Sequence, residues 1–468
     1  MTAAAPKHVG KEIFLAGWVD VRRDHGKLIF FDLRDRSGKV QLVVASDDEA
    51  LHKKAETLRP EWVVGVLGVV VERPEKMKNT ESPTGSIEVQ VRDIQVYAES
   101  ETPPFNLSGD GYDIGEEHRM EFRYLDLRRP RMLRNMELRN RVELMMRTFF
   151  ADRGFLEIET PVLSKSTPEG ARDYLVPSRL YHGKFYALPQ SPQQYKQLLM
   201  VAGVEKYFQI VRCFRDEDTR GDRQPEFTQL DVEMSFVTQD NILELIEELY
   251  VNIVEKLTPE KRISERPFPR MTYKEVMEKY GTDKPDMRKD KNDPNELAFL
   301  FVVDFPMFEW KESEKRWDAV HHPFTKISDH DSAAKNDAEF IKEIAQDPSA
   351  LVAEQYDFVL NGYEIGGGSI REHRPEVLKA VFEIMGNAQE AVEEKFGHLL
   401  RAFRYGVPPH GGIAPGVDRF VMLLAGEPNI REVIAFPKTG DGRDLMMNAP
   451  SEANETQLAE LGLQLRKD

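Results

Sequence analysis

The chain opens with five short runs dominated by apolar and β-branched residues, at 13–21, 28–33, 40–44, 62–71 and 87–98, with a stretch of more helical composition, 47–58, between the third and fourth. Five strands with a helix between three and four, in about a hundred residues, predict a five-stranded barrel of the oligonucleotide-binding type. Pro103, Pro104, Gly109 and Gly111 then mark 101–124 as a hinge after a first domain at 1–100. From Pro130 the period changes. Leu138, Val142, Met145 and Phe149 fall on one side of a predicted helix that stops at Gly154. A strand within 154–163, a helix over 190–200 capped by Ser191, and two antiparallel strands with a turn at 219–225 follow. Beyond them the pattern predicts an amphipathic helix over 240–257 and another opened by the capping box Thr272 and Glu275 and closed at Gly281. A polar linker at 282–296 leads to a strand over 297–304.

Composition narrows the class. At 468 residues, with 40% hydrophobic and 31% charged positions, the chain has room for two or three soluble domains. The longest apolar run, 62–71, is too short to span a bilayer, and the first residues lack an apolar signal core, so the expectation is a cytoplasmic protein with no membrane partner. A single cysteine, Cys213, excludes an internal disulfide and a cysteine-rich zinc site. Its apolar neighbours predict a buried small hydrophobe. The formal net charge of −17 weighs against nucleic acid in bulk. Phosphate contacts, however, act within roughly 8 to 10 Å, so local distribution matters more. Nine arginines fall between Arg119 and Arg147, and Arg22, Arg23, Lys27, Arg34 and Arg36 cluster near the start. The interleaved acids Glu121, Asp126 and Glu143 leave ion-paired faces as the other reading of that basic stretch.

The most informative run is FRDEDTRGDRQPEFTQLDVEMSF at 214–236. Arg215, Glu217 and Arg223 precede Phe227, and Gln229, Asp231 and Glu233 alternate beyond it on one strand face. A charged face on a central strand is costly unless something polar binds there, and an arginine near an aromatic ring suits a phosphorylated heterocycle. A solvent-facing hairpin laced with salt bridges is the alternative. Asp357 and Glu364, seven apart, are a carboxylate pair suited to Mg²⁺ held partly through ATP oxygens. Gly366, Gly367 and Gly368 would let substrate approach the backbone, since neither GK[ST] nor G-x-G-x-x-G occurs there. His321 and His322, if on a strand, face opposite ways and make a two-histidine metal site improbable. Glycines before a helix starting near Val417, with Arg419 in its first turn, form a phosphate site.

The 214–236 pattern closely resembles motif 2 of the class II aminoacyl-tRNA synthetases, in the subgroup of the aspartate, asparagine and lysine enzymes. The helix, strand and Pro161 resemble motif 1, and 408–426 resembles motif 3. The resemblance implies an α+β fold: an OB-fold barrel, then a class II catalytic domain over 125–468 with a mostly antiparallel sheet flanked by helices. It implies a homodimer acting on ATP, Mg²⁺ and tRNA. In it Arg215 meets the α-phosphate and the amino-acid carboxylate, Arg419 the γ-phosphate, and Phe227 the adenine, with Glu217, Gln224 and Glu364 completing the ATP set. Arg215, Arg419 and Glu364 are the catalytic candidates. The loop at 165–177 resembles one that closes over the amino acid, bringing Glu169 to the ammonium. Ser191, Gln193, Lys196, Asp231, His321, His322 and Arg371 complete the amino-acid set, and Arg23, His25, Phe30 and Gln41 fall at anticodon-binding positions.

Two cations, Lys196 and Arg371, where the substrate side chain would lie favour aspartate over lysine and asparagine. The run at 434–454 resembles the bacterial aspartate enzymes, which carry a whole extra domain where this chain has the linker 282–296. His25 beside Arg23 resembles the form of those enzymes that charges asparagine tRNA as well as aspartate tRNA, whereas Met77 matches neither form. An asparagine enzyme, and a synthetase-like adenylate-forming or nucleic-acid-binding protein that charges no tRNA, are the rival readings.

Overall fold

The computed structural model describes residues 1–466 except 168, 169, 330, 331, 333 and 335. The chain divides into two compact units, Met1–Arg119 with Tyr124–Leu133, and Met120–Arg123 with Arg134–Asp468.

In the first unit, β1 (Glu12–Asp24), β2 (Leu28–Asp35), β3 (Gly38–Ala45), β4 (Val63–Glu72) and β5 (Ile87–Ala98) close a barrel in the order β1-β2-β3-β5-β4. Alternation builds it. Ile29, Phe31 and Leu33 of β2 and Val40, Leu42 and Val44 of β3 are all buried in one core, while the residues between them look outward. Helix α1 (Glu49–Thr57) fills the connection from β3 to β4, capped by Asp48, whose side chain accepts the Leu51 N–H at 3.0 Å.

The second unit centres on an eight-stranded sheet. Its strands in chain order are β6 (Leu156–Glu157), β7 (Lys206–Phe214), β8 (Glu226–Ser235), β9 (Arg270–Thr272), β10 (Phe299–Pro306), β11 (Val352–Leu360), β12 (Tyr363–Ile370) and β13 (His410–Ile413). They lie side by side as β9-β10-β11-β12-β13-β8-β7-β6, antiparallel except at the two outermost pairs. Helices α2 (Pro130–Ala151), α3 (Gln193–Val201), α4 (Gln239–Leu257) and α5 (Tyr273–Tyr280) all precede β10 in the chain, α6 (Pro375–Ile384) and α7 (Gln389–Phe403) lie between β12 and β13, and α8 (Val417–Ala425) follows β13. One sheet face is sealed by α2, α4 and α8, where Val142, Met146, Ile246, Tyr250 and Phe420 pack with Leu230, Val232, Phe301 and Phe358. The buried stripe of α2 runs through Val142, Met146, Phe149 and Phe150, a little round the helix from the expected one, with Leu138 and Met145 at its flank.

Two local expectations change. The strand within 154–163 is only two residues long, because β6 pairs with β7 through Leu156 and Glu157 alone and then runs to Pro161, which has no N–H to donate. Helix α3 begins at Gln193 with Pro192 at its cap and no side-chain cap bond, so Ser191 is one residue too early to cap it. The capping box of α5 forms as read, and Gly281 ends that helix at φ 69°. Among the described residues no helix is long and apolar enough to cross a membrane.

Candidate active site

Strand β8 creates the site through its period of two. Leu230, Val232 and Met234 enter the core, so Gln229, Asp231 and Glu233 emerge on the other face, where all three are buried. Above that face is a cavity of about 350 Å³. Ser191, Gln193, Lys196, Arg215, Glu217, Gln224, Phe227, Asp231, His321, His322, Glu364, Arg371 and Arg419 all line it. Glu169 lies outside the described residues. Asp222, Gln355, Asp418 and Ile430 also line the cavity, and nothing in their sequence setting distinguishes them.

At one end four charges interlock. Lys196 Nζ is 2.7 Å from Asp231 Oδ1 and 3.3 Å from Glu233 Oε2. Arg371 donates through Nε to Glu233 Oε1 at 3.0 Å and through Nη2 to Oε2 at 3.2 Å, while Nη1 reaches Ser369 Oγ at 2.7 Å and His322 Nε2 at 3.0 Å. The two expected cations are therefore ion-paired with two acids, Asp231 and Glu233. Donors remain all the same. Lys196 makes one hydrogen bond, to Asp231, beside its ion pair with Glu233, and Arg371 Nη2 uses one of its two N–H groups, so each cation keeps a donor for a further carboxylate.

The acids respond differently to the same lysine. Burial alone would raise Glu233, but Arg371 and Lys196 outweigh it and bring the carboxyl down to about 2. For Asp231 burial prevails over Lys196 and the carboxyl moves up. The difference follows from partners: Glu233 has two cations, whereas Asp231 Oδ2 is buried with no hydrogen-bond partner among the described residues. The amide nitrogen of Gln193 is likewise buried and without a partner among the described residues. An open acceptor beside an open donor, sealed from water, fits a small polar ligand.

At the other end the Arg215 guanidinium lies 5.0 Å from the centre of the Phe227 ring, and its buried Nε has no hydrogen-bond partner among the described residues. Arg419, third residue of α8, donates through Nη1 to the Glu364 carbonyl at 2.6 Å and through Nε to the Asp222 carbonyl at 3.1 Å. Glu217 accepts from Arg223 at 3.3 Å. Gln224 is engaged at both amide atoms by the Lys438 backbone, at 2.7 and 3.1 Å, so it ties the C-terminal segment to the cavity wall. Asp357 stands on β11, just behind the lining, and Glu364 on the neighbouring β12. Oxygens of both lie within 4 Å of the point where a Cβ on Gly367 would be. Burial, then the charge of Glu364, pushes Asp357 well above the usual carboxylate range. Two crowded carboxylates of this kind fit a divalent cation whose remaining ligands come from elsewhere. Among the described residues no group of three or more metal-ligating side chains occurs.

One sequence reading is corrected here. His321 and His322 lie in a bend beyond the strand Arg316–Ala319, so strand alternation does not apply and both rings line the cavity. Burial, then the Arg371 charge, holds His322 well below its ordinary value, and with Nε2 accepting from Arg371 its proton belongs on Nδ1. Gly366, Gly367 and Gly368 all line the cavity, and two of them also pack closely against the protein's own backbone. A Cβ on Gly366 would meet Pro415 Cα at 2.8 Å and one on Gly368 the Gly412 carbonyl oxygen at 2.3 Å, which leaves only Gly367 facing carboxylates.

With this geometry in hand, comparison with known proteins is decisive. Residues 115–440 match the family model of tRNA synthetases class II (D, K and N), and 13–97 match the OB-fold nucleic acid binding domain. The chain belongs to the class II tRNA synthetases of the D, K and N group. It is 45% identical to a protein of Rubrobacter xylanophilus named aspartate–tRNA(Asp/Asn) ligase, over 98% of this chain and 95% of that one. It is 40% identical to a Staphylococcus saprophyticus protein named aspartate–tRNA ligase, over 97% of each. The crystal structure of asparaginyl-tRNA synthetase from Pyrococcus horikoshii, complexed with asparaginyl-adenylate, shares the fold with a TM-score of 0.71 at 24% identity, covering 93% of this chain and 96% of that one.

In this class II synthetase the barrel carries the second candidate site. Phe31 is fully buried, and its neighbour Phe30 looks outward, half-buried, with the His25 ring edge-on at 5.6 Å. Arg23 Nη2 lies 3.2 Å from Asp32 and 3.4 Å from Gln41 Oε1, so Arg23, His25, Phe30 and Gln41 share one patch. The arginine-rich stretch proves partly internal. Arg119, Arg123, Arg129 and Arg131 are buried, and Arg123 donates to the carbonyls of Arg431, Ile434 and Ala435 at 2.6 to 2.9 Å. Arg34 is buried too, held by Asp20 and Glu61. Cys213 is buried, as its neighbours implied.

Proposed function

We propose that this class II synthetase is an aspartate–tRNA ligase, which activates L-aspartate with ATP and transfers it to the 3′ end of tRNA(Asp). The observation that carries the reading is the interlocked quartet, in which Lys196 and Arg371 each keep a donor for an oxygen of a side-chain carboxylate, beside the Asp231 oxygen that suits an ammonium. An asparagine amide would set its NH₂ against one of those donors, a mismatch costly in a buried site. The names of the bacterial relatives support the same substrate.

Chemistry in this reading needs alignment rather than a protein base, because the attacking carboxylate is already a nucleophile. A carboxylate oxygen of aspartate attacks the α-phosphorus, pyrophosphate leaves, and a ribose hydroxyl of the tRNA terminus then attacks the acyl carbon and releases AMP. Arg215 holds the α-phosphate and the amino-acid carboxylate, Phe227 stacks on adenine, and Arg419 takes the γ-phosphate, with Glu217 and Gln224 at the edges of the nucleotide. Ser191, Gln193, His321, His322 and Glu169 enclose the amino acid. Asp357 and Glu364 would hold Mg²⁺, which when bound neutralises charge on the phosphates.

The barrel at 1–100 is the anticodon reader, with Phe30 stacking on a base and Arg23, His25 and Gln41 reading its edge or backbone. His25 against Phe30, and relatives named for both tRNAs, support charging of tRNA(Asn) as well. A homodimer built on α2 and the 154–163 segment, and a cytoplasmic location, complete the reading. The alignment with the Rubrobacter protein runs over 581 positions against a chain of 468 residues, so at least 113 positions have no counterpart here. The linker at 282–296 stands in for that missing domain. Radiolabelled aspartate supplied with ATP, magnesium and transcripts of the two tRNAs tests all of this. Both transcripts should be charged; charging of tRNA(Asp) alone removes the relaxed specificity, and charging of neither removes the function.

A further inference from the structure

Arg139 sits on α2 and is no part of the cavity lining, yet it touches both elements that carry the nucleotide-facing residues. Its Nη1 donates to Asp418 Oδ1 and to the Val433 carbonyl at 3.2 Å, and its Nη2 donates to Thr228 Oγ1 at 3.0 Å. Asp418 in turn accepts the Thr228 backbone N–H on Oδ2 at 2.7 Å. The result is a closed triangle of guanidinium, carboxylate and threonine, in which Asp418 and Thr228 are buried.

Sequence neighbours give the triangle its meaning. Thr228 follows Phe227 on β8, and Asp418 precedes Arg419 in the first turn of α8. The carboxylate therefore fastens the start of α8 to β8 one residue away from each of the two groups assigned to opposite ends of ATP. Asp418 alone would be a buried charge with one backbone donor, a costly arrangement that could relax by sliding α8 along the strand. Arg139 removes that freedom, because its planar fork binds the acid and the threonine hydroxyl together.

We propose that Arg139 is a positioning residue for the nucleotide, fixing the separation of Phe227 and Arg419 through Asp418 and Thr228. The inference rests on the proposed roles of Phe227 and Arg419 at the two ends of ATP. It differs from an ordinary interior ion pair in what its loss does: an interior pair contributes stability only, whereas a positioning pair also sets the affinity for one of two substrates. The aspartate end, built from Lys196, Asp231, Glu233 and Arg371, shares no hydrogen bond with the triangle.

Arg139→Met and Arg139→Lys, in the full chain, test this by thermal unfolding and by aspartate-dependent ATP–pyrophosphate exchange with KM taken separately for each substrate. In the methionine variant KM for ATP should rise about tenfold, since small displacements of aligned groups carry penalties of that order, while KM for aspartate stays within about twofold. Lysine, with its charge but no fork, should fall between. A folded methionine variant with KM for ATP within about twofold of the parent overturns the inference, as does an equal rise in both KM values. Should the methionine variant not fold, the lysine variant decides: a rise of about threefold for ATP alone supports the inference and anything less overturns it. Absence of exchange in the parent chain is a separate outcome, which sinks the functional reading and this inference with it.

Discussion

Arg371 grips Glu233 with two nearly parallel hydrogen bonds, Nε to Oε1 at 3.0 Å and Nη2 to Oε2 at 3.2 Å, in a place neither side chain shares with solvent. Removing one partner of a buried pair is far costlier than the pair is stabilising. Glu233→Gln keeps the shape and deletes the charge, leaving Lys196 and Arg371 with Asp231 alone. Denaturant unfolding should show a loss of about 3 kcal/mol. Added aspartate should restore more stability to this variant than to the parent, because its side chain supplies the missing charge. An unchanged unfolding midpoint would show that the four groups do not act together.

Arg215 is a different case, since its Nε has no hydrogen-bond partner among the described residues and its guanidinium lies against the Phe227 ring. Arg215→Ala should fold like the parent and lose on the order of a hundredfold in ATP–pyrophosphate exchange, the size expected when one charge-stabilising group is removed. Circular dichroism checks the first half and exchange the second; undiminished exchange refutes its role.

Acid should weaken this protein in two stages. His410 is lowered from 6.5 to about 4, chiefly by burial, so its unfolded form takes a proton first as pH falls. Stability is then fully present above about 6.5 and declines toward 4. Glu233, lowered from 4.5 to about 2, adds a second decline between those values. Asp231 and Asp357, whose carboxyls are raised by burial, oppose this decline, so the test is the difference between parent and His410→Gln: the parent should lose more unfolding free energy than the variant between pH 7 and pH 4.5. A His410→Gln variant with the parent's pH profile contradicts the buried neutral histidine.

On the barrel, Phe30 is half-buried with one face toward solvent, and Phe30→Ala should leave the barrel core intact because Phe31 fills it. Loss of one stacking ring should weaken tRNA binding by about 1 to 3 kcal/mol and leave amino-acid activation unchanged. Filter binding and exchange measure the two sides; a fall in exchange would mean that Phe30 does more than stack.

What can be read from sequence follows from the kind of signal each feature leaves. Barrel strands and the alternation of Gln229, Asp231 and Glu233 are local periodicities, so the charged face is visible in the order of residues alone. Arg215, Phe227 and Arg419 are legible because each lies in a run whose spacing is itself distinctive. The neutralising of Lys196 and Arg371 is not, because it depends on side chains 35 and 138 residues apart meeting in one buried space. The histidine bend escapes for a smaller reason, a strand that ends at Ala319, and Asp418 and Arg139 because their meaning is a contact across 279 residues.

Gly412 lies on β13, paired directly across from Glu233, and a methyl group added there would stand 2.1 Å from the Glu233 carboxylate oxygen and 2.0 Å from the Val232 carbonyl. The smallest side chain larger than hydrogen would thus evict the acid that Arg371 holds. Change in what this pocket admits has a route that alters no charged residue at all, and a chain that is to keep its present selectivity must keep a bare backbone at that one place.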